Sequence, residues 1–130
     1  MTMFGNGNQS FELFAGSRTI TCTAAENIIG SRFVKLAPGG TSQRPNVVLC
    51  GAGERPWGVS SYDQVAGEGV AIHRVGTYTV TAGEAITAPA PIASGAAGVA
   101  VLAAGTAVVA GQTWADAPIN TDTAVALAAL

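Results

Sequence analysis

The chain has 130 residues, of which 11% are charged and 48% hydrophobic, and its formal net charge at pH 7 is −2. This length fits one domain with a substantial core, and the apolar content excludes an intrinsically disordered chain. The six basic residues form no cluster or stripe, so we expect no nucleic-acid binding. Because so few charges protect the surface, we expect part of it to be covered by other copies or by a partner.

Short β-branched runs, separated by Gly, Pro and Asn, predict an all-β fold: a small barrel or sandwich of short antiparallel strands. Residues 1–17 precede the first run and are predicted to form an extended N-terminal arm, followed by a single β domain over 18–130. In chain order, the predicted strands are RTITCT (18–23), RFVKL (32–36), NVVLC (46–50), WGVSSY (57–62), GVAIHRV (69–75), YTVT (78–81), VAVL (99–102), TAVVA (106–110) and TAVALAAL (123–130).

Two glycine-rich loops, GAGERP (51–56) and QVAGEG (64–69), separate three of these strands. Their turn chemistry predicts that residues 46–75 form a meander of consecutive antiparallel strands. In the Ala-rich segment that follows, Gly98 and Gly105 argue against a helix, because each would cost about 1 kcal/mol there. One short helix or helical turn remains compatible with TWADAP (113–118).

The uncharged segment 85–115 must also be considered as a membrane span. Pro89 and Pro91 interrupt it, and its Ala, Gly and Thr residues give little insertion energy. We therefore expect no membrane association.

The two halves of the β domain, about 24–76 and 81–130, are weakly similar in sequence. AAENIIGSRFVKL (24–36) is similar in rhythm to TAGEAITAPAPIA (81–93), and VVLCGAGERPWGV (47–59) to VAVLAAGTAVVAG (99–111). The pattern suggests two similar β units that pack around one core.

The residue types that carry out catalysis are few and scattered. His73 is the single histidine, and the chain has no nucleophile elbow such as G-x-S-x-G. Glu54, Asp63 and Glu68 lie in or beside loops, where acids usually face solvent. The glycine-rich loops lack the pattern of dinucleotide sites. We therefore predict no catalytic residue, no cofactor and no enzyme activity.

The two cysteines, Cys22 and Cys50, are too few for a zinc site, and no other metal site is predicted. They could form one disulfide or remain as two buried thiols, and the second interpretation is favoured.

Two segments carry a family resemblance: AENIIGSRFVKLAPGG (25–40) and VVLCGAGERPWGVSSYDQVAGEGVAIHRVGTYTVTAGEAITA (47–88). They resemble the capsid decoration (head cement) proteins of tailed bacteriophages, which have a GAGERPIGV-like loop and strand followed by an AGEAVTV hairpin. The resemblance covers about residues 24–90, and TAPAPIAS (87–94) departs from the pattern at a turn.

The resemblance implies a structural virion protein on the outer surface of the phage head. Such proteins are commonly trimers at threefold positions, where they clamp neighbouring major capsid subunits. The expected partners are therefore the major capsid protein and further copies of this chain, as a homotrimer. Assembly in the host cytoplasm would suit reduced cysteines.

Three of the four Phe residues lie in the first 14 positions, and we expect the arm to dock through them on a neighbouring copy or the capsid. The alternative is that the arm packs on its own barrel. The predicted interface residues are Phe4, Phe11, Leu13, Phe14, Arg55, Trp57 and Tyr62.

Two other functions are alternatives to a head protein. A tail or baseplate module would share the β-rich composition. A left-handed β-helix enzyme would need a strict hexapeptide repeat, which the sequence lacks.

Overall fold

The computed structural model describes residues 19–127, which form ten β-strands and one short turn of 3₁₀ helix, Ala96–Gly98. The prediction of an all-β fold is confirmed. Strands β1 to β5 close into a barrel, and β6 to β10 form a second, curled sheet. The strands are β1 Thr19–Ala24, β2 Phe33–Ala37, β3 Asn46–Leu49, β4 Gly58–Ser60, β5 Gly69–His73, β6 Thr77–Thr81, β7 Ala90–Ser94, β8 Ala100–Leu102, β9 Val109–Thr113 and β10 Asp122–Leu127.

The barrel has the strand order β1-β3-β2-β4-β5, and β5 pairs with β1 to close it. All of its pairs are antiparallel except β1 with β3, which is parallel. The predicted meander over 46–75 is therefore wrong in part. Strands β4 and β5 are neighbours, but β2 lies between β3 and β4 because the segment after β3 crosses to the far side of β2.

The second sheet repeats the connectivity of the barrel. Its order is β6-β10-β9-β7-β8, and a parallel bridge between Ala82 and Ala100 joins β6 to β8. Strand pairing shows which positions of the two halves correspond. Val34 pairs with Leu49 in the barrel and Ile92 pairs with Leu102 in the second sheet, so Val34 corresponds to Ile92 and Leu49 to Leu102.

Two carboxylate contacts with the backbone occur at corresponding places in both halves. One acid lies shortly after the first strand of each half and accepts a hydrogen bond from a backbone N–H of the third strand. A second acid in each half lies one residue before an isolated β-bridge. It accepts a hydrogen bond from a backbone N–H in the segment on the other side of that bridge. The contacts are Glu26 with Leu49 N (2.9 Å), Glu84 with Leu102 N (2.7 Å), Asp63 with Gly30 N (2.8 Å) and Asp116 with Ala88 N (2.7 Å).

The C-terminal half differs from expectation in two places. Strand β7 was not predicted, because Pro91 lies within it and proline cannot donate to a neighbouring strand. The helical turn lies at Ala96–Gly98 and not near TWADAP. There, the hydroxyls of Thr113 and Thr123 share a hydrogen bond (2.6 Å) and lie 3.2 and 3.0 Å from the Ala115 carbonyl oxygen. Across residues 19–127, no helix is long and apolar enough to cross a membrane.

Buried residues form two clusters, and one of them spans both halves. The barrel interior contains Cys22, Val34 and Ile72. The cluster inside the second sheet also includes three residues from the barrel half of the chain: Phe33, Cys50 and Val59. Phe33 and Val34 are adjacent in β2, so their side chains point to opposite faces and enter different clusters. The two halves therefore share a packed junction.

Phe33 is also held through its backbone, by the helical turn of the second half. Gly98 has φ +76° and approaches so closely that a Cβ there would strike the Phe33 carbonyl oxygen. Arg32 supports the same contact, because its guanidinium donates to the Ala97 carbonyl (3.1 Å).

We predict that Gly98→Ala destabilises the fold more than Gly105→Ala does. Gly105 also has a positive φ, of +60°, but open space surrounds it. Both variants would force alanine into the left-handed region, at about 1–2 kcal/mol. Gly98→Ala adds the clash with Phe33, worth a further ~1–3 kcal/mol. Denaturant unfolding measures both losses, and equal losses would contradict the close approach.

Candidate functional site

His73 is engaged structurally at the start of the connection between the two halves. Its ring stacks on Tyr78 of β6, with centroids 4.1 Å apart and planes within 4°. Its Nδ1 lies 3.0 Å from the Thr19 hydroxyl. Burial lowers the pKa of His73, so the neutral ring is favoured near pH 7. The stacked ring links the last strand of the barrel to the first strand of the second sheet.

Among the three loop acids, Glu54 and Asp63 hold backbone in place. Glu54 accepts hydrogen bonds from Lys35 Nζ (2.8 Å) and from Gly51 N (2.7 Å). These bonds lower the pKa of Glu54, and the bond to Glu54 raises the pKa of Lys35. Asp63 receives its bond from Gly30 N, and Glu68 is exposed. Glu54 and Asp63 thus have different hydrogen-bond partners, and each supports a different loop.

The interface candidates in the described part of the chain differ in exposure. Arg55 is exposed, and Tyr62 is 47% exposed. Trp57 is half-buried, with the Arg74 guanidinium 4.2 Å from the centre of its ring. The Arg74 Nε also donates to the Trp57 carbonyl (2.6 Å). Arg55 and Tyr62 are thus available to a partner, whereas Trp57 helps to hold the barrel end. The remaining candidates, Phe4, Phe11, Leu13 and Phe14, lie outside the described residues.

Cys22 and Cys50 are free thiols and both are fully buried, as the favoured interpretation expected. Cys22 belongs to the barrel core and Cys50 to the junction cluster. Burial raises the pKa of Cys22 to about 11 and also raises the pKa of Cys50. Within residues 19–127, no group of three His, Cys, Asp or Glu side chains could hold a metal ion.

Among the surface grooves formed by residues 19–127, one lies in each half. The first, about 280 Å³, is lined by Asn27, Ile28, Ile29, Asp63, Gln64 and Val65. The second, about 370 Å³, is lined by Pro91, Val109, Gly111, Gln112 and Ala126. The sequence did not point to either groove. The strands of the second half consist largely of alanine, glycine and valine, with few polar residues between them. The sequence pattern therefore does not distinguish the inner face of a strand from its outer face.

The fold is a closed five-stranded barrel joined to a curled sheet of the same connectivity through one shared core. No protein-family model and no curated protein sequence matches the chain. Among solved structures, the fold is similar to the crystal structure of the head fiber gp8.5 N base of bacteriophage phi29. The TM-score is 0.73 at 18% sequence identity, and the match covers 85% of this chain and 93% of the phi29 chain. At this identity the similarity establishes a common fold.

We predict that neither thiol reacts in the native protein at pH 7–8. A thiol with a pKa near 11 is almost wholly protonated at that pH, and both sulfurs are shielded from reagent. A chromogenic disulfide reagent should therefore detect no thiol until denaturant is added, and then two. Rapid labelling of a folded protein would contradict the burial, with a small-molecule thiol as the control for reagent activity.

Proposed function

We propose that the protein is a structural component of a tailed-phage head, which binds the outer capsid surface and cements neighbouring major capsid subunits. The observation that carries the proposal is the common fold with the base of a phage head fiber, over most of both chains. The motif resemblance to head decoration proteins, over about residues 24–90, points to the same class. We further propose a homotrimer at threefold positions of the capsid.

A role in binding, with no catalysis, is consistent with the use that the chain makes of its reactive side chains. His73 is stacked on Tyr78, Glu54 holds Lys35 and the Gly51 amide, and Cys22 is protonated and buried. Each of these groups stabilises the fold through a specific contact or through burial.

The surface also has the character of one that meets other proteins. Large apolar side chains are exposed in both halves, and few charges separate them. The most exposed are Trp114 (62%), Val65 (59%), Val75 (56%), Ile119 (55%) and Leu36 (51%). Single exposed apolar residues are ordinary. Here they accompany a chain with less than half the usual charge content, which is consistent with coverage in an assembly.

A cementing role follows from mass action. A protein that binds the assembled capsid but not free subunits stabilises the assembled state, and the effect grows with the ratio of its free concentration to its dissociation constant. A trimer would present the same weak contact three times, and avidity would then multiply modest affinities. No strong individual contact is therefore required.

We predict that the purified protein co-sediments with phage heads and not with tails, and that bound heads release DNA at a higher temperature. Heads that lack the protein are compared before and after it is added back, with DNA release followed by dye fluorescence. Release at the same temperature in both samples would contradict cementing. Binding to tails instead would favour the tail or baseplate alternative.

The arm at residues 1–17 is proposed to dock on a neighbouring copy or on the capsid, with Phe11, Leu13 and Phe14 as anchors. We predict that a chain without residues 1–17 still folds but binds heads at least tenfold more weakly, equivalent to about 1.4 kcal/mol. Circular dichroism reports folding and co-sedimentation reports binding. Unchanged binding would refute the docking, and failure to fold would show that the arm packs on its own barrel.

A further inference from the structure

The outer face of β2, β4 and β5 in the barrel is covered by the second half of the same chain. On this face, Phe33 is 0% and Val59 1% exposed, and Pro56 is fully buried. His73, on the same face, stacks on Tyr78 of the second sheet. This face is therefore a module-to-module interface that is already occupied.

Strand pairing identifies the same face on the second sheet. Pro91 pairs with Gln112 as Phe33 pairs with Val59, so β7 and β9 stand in the places of β2 and β4. A glycine marks the same place on both: a Cβ at Gly58 would strike the His73 carbonyl, and one at Gly111 the Ala126 carbonyl. The corresponding positions are thus Phe33 and Pro91, Pro56 and Val109, Gly58 and Gly111, Val59 and Gln112, and His73 and Ala126.

This second face is open where the first is buried. Val109 is 47% exposed, and Pro91 and Gln112 are exposed as well. The five positions are also the residues that line the groove of about 370 Å³. A surface that is an interface between the halves on the barrel is therefore an exposed groove lined by uncharged residues on the second sheet.

The opposite side of the junction, which the second sheet provides, also has an exposed counterpart, and this counterpart lies on the barrel. In the second sheet, the surface against the barrel includes Ser94, which is 1% exposed and accepts a hydrogen bond from Gly53 N (2.8 Å). Its counterpart in the barrel is Leu36, because Leu36 pairs with Val47 as Ser94 pairs with Ala100. Leu36 is 51% exposed.

We propose that the groove between Pro91, Val109 and Ala126 binds a second copy of this chain, through the barrel surface around Leu36. The occupant is a second copy because each chain presents both open surfaces, and corresponding surfaces already meet at the junction within the chain. Two different surfaces meet in such a contact, so the association is head-to-tail and closes when the copies form a ring. The inference deepens the homotrimer of the proposed function by naming its interface.

The contact between copies is weaker than the junction within the chain. Pro91 and Gln112 occupy the places of Phe33 and Val59, so the groove offers no large side chain to insert into its partner. The association is therefore expected to be reversible and dependent on concentration.

The first test compares Val109→Glu with Val65→Glu by sedimentation velocity of the full chain over a concentration series. Val65 is 59% exposed and lines the other groove, so the control adds the same charge at similar exposure elsewhere. Wild type and Val65→Glu should associate alike. Val109→Glu should raise the dissociation constant at least about tenfold, because the contact would bury an unpaired carboxylate.

The second test uses Leu36→Glu, which carries the charge on the opposite surface. Alone, it should show a dissociation constant raised at least about tenfold, like Val109→Glu. Mixed in equal amounts, the two variants should form a one-to-one dimer that grows no further, since one intact groove meets one intact Leu36 surface. A symmetric contact between identical surfaces would give no such rescue. Thermal melts that match Val65→Glu establish that each variant is folded, and Leu36→Glu tests the contact even if Val109→Glu does not fold.

Several outcomes would overturn the interface. They are a wild type that stays monomeric up to its solubility limit, variants that associate like wild type, or a mixture that stays monomeric. Association lost on removal of residues 1–17 but kept in Val109→Glu would assign the contact to the arm. All of these measurements use protein without capsids, so failure here leaves the head-binding prediction intact, and failure of head binding leaves the interface intact.

Discussion

The insertion of Phe33 from the barrel into the core of the second sheet is the contact on which the rest of the structure depends. A five-stranded barrel of about 55 residues buries too little surface to be strongly stable alone. Phe33 and Val34 make β2 apolar on both faces, so one strand serves two cores. The Phe33 backbone meets Gly98 while its side chain lies in the second core, which fixes the two halves both laterally and in register.

Carboxylates stabilise this fold mainly through backbone amides. Glu26 and Glu84 each accept from the third strand of their half, and Asp63 and Asp116 from the segment across a bridge. A charged acceptor makes a stronger hydrogen bond than a neutral one. With Glu54, which accepts from Gly51 N, five of the eight acids therefore hold loops that have few apolar side chains of their own. This explains how a chain so rich in Gly and so poor in charge can hold short strands in register.

Local patterns in the sequence were sufficient for nine of the ten strands and for the buried thiols, but not for the order of the strands. Turn residues indicate where a strand ends, and they carry no information on whether the next strand pairs beside it, so β3 was assigned to β4 instead of β2. Pro91 concealed β7. The alignment of the two halves was one residue out of register and matched Phe33 with Ala90 instead of Pro91. In a strand such a shift exchanges inner and outer faces, so the groove could not be found without the pairing.

The alanine content of the second half has a physical explanation in the junction. The second core must accommodate the Phe33 ring in addition to its own side chains, and protein interiors tolerate little excess volume. Ala100 stands where the barrel has Val47, and Ala110 where it has Trp57. The core around Phe33 contains five alanines, Ala82, Ala90, Ala100, Ala110 and Ala117, whereas the barrel core contains Ala24. The outer face of the second half is shallow for a separate reason, because Pro91 stands in the place of Phe33. The second half therefore presents a groove at the position where the barrel presents the Phe33 side chain. This asymmetry makes a head-to-tail contact between copies possible in a chain built from two modules of one connectivity.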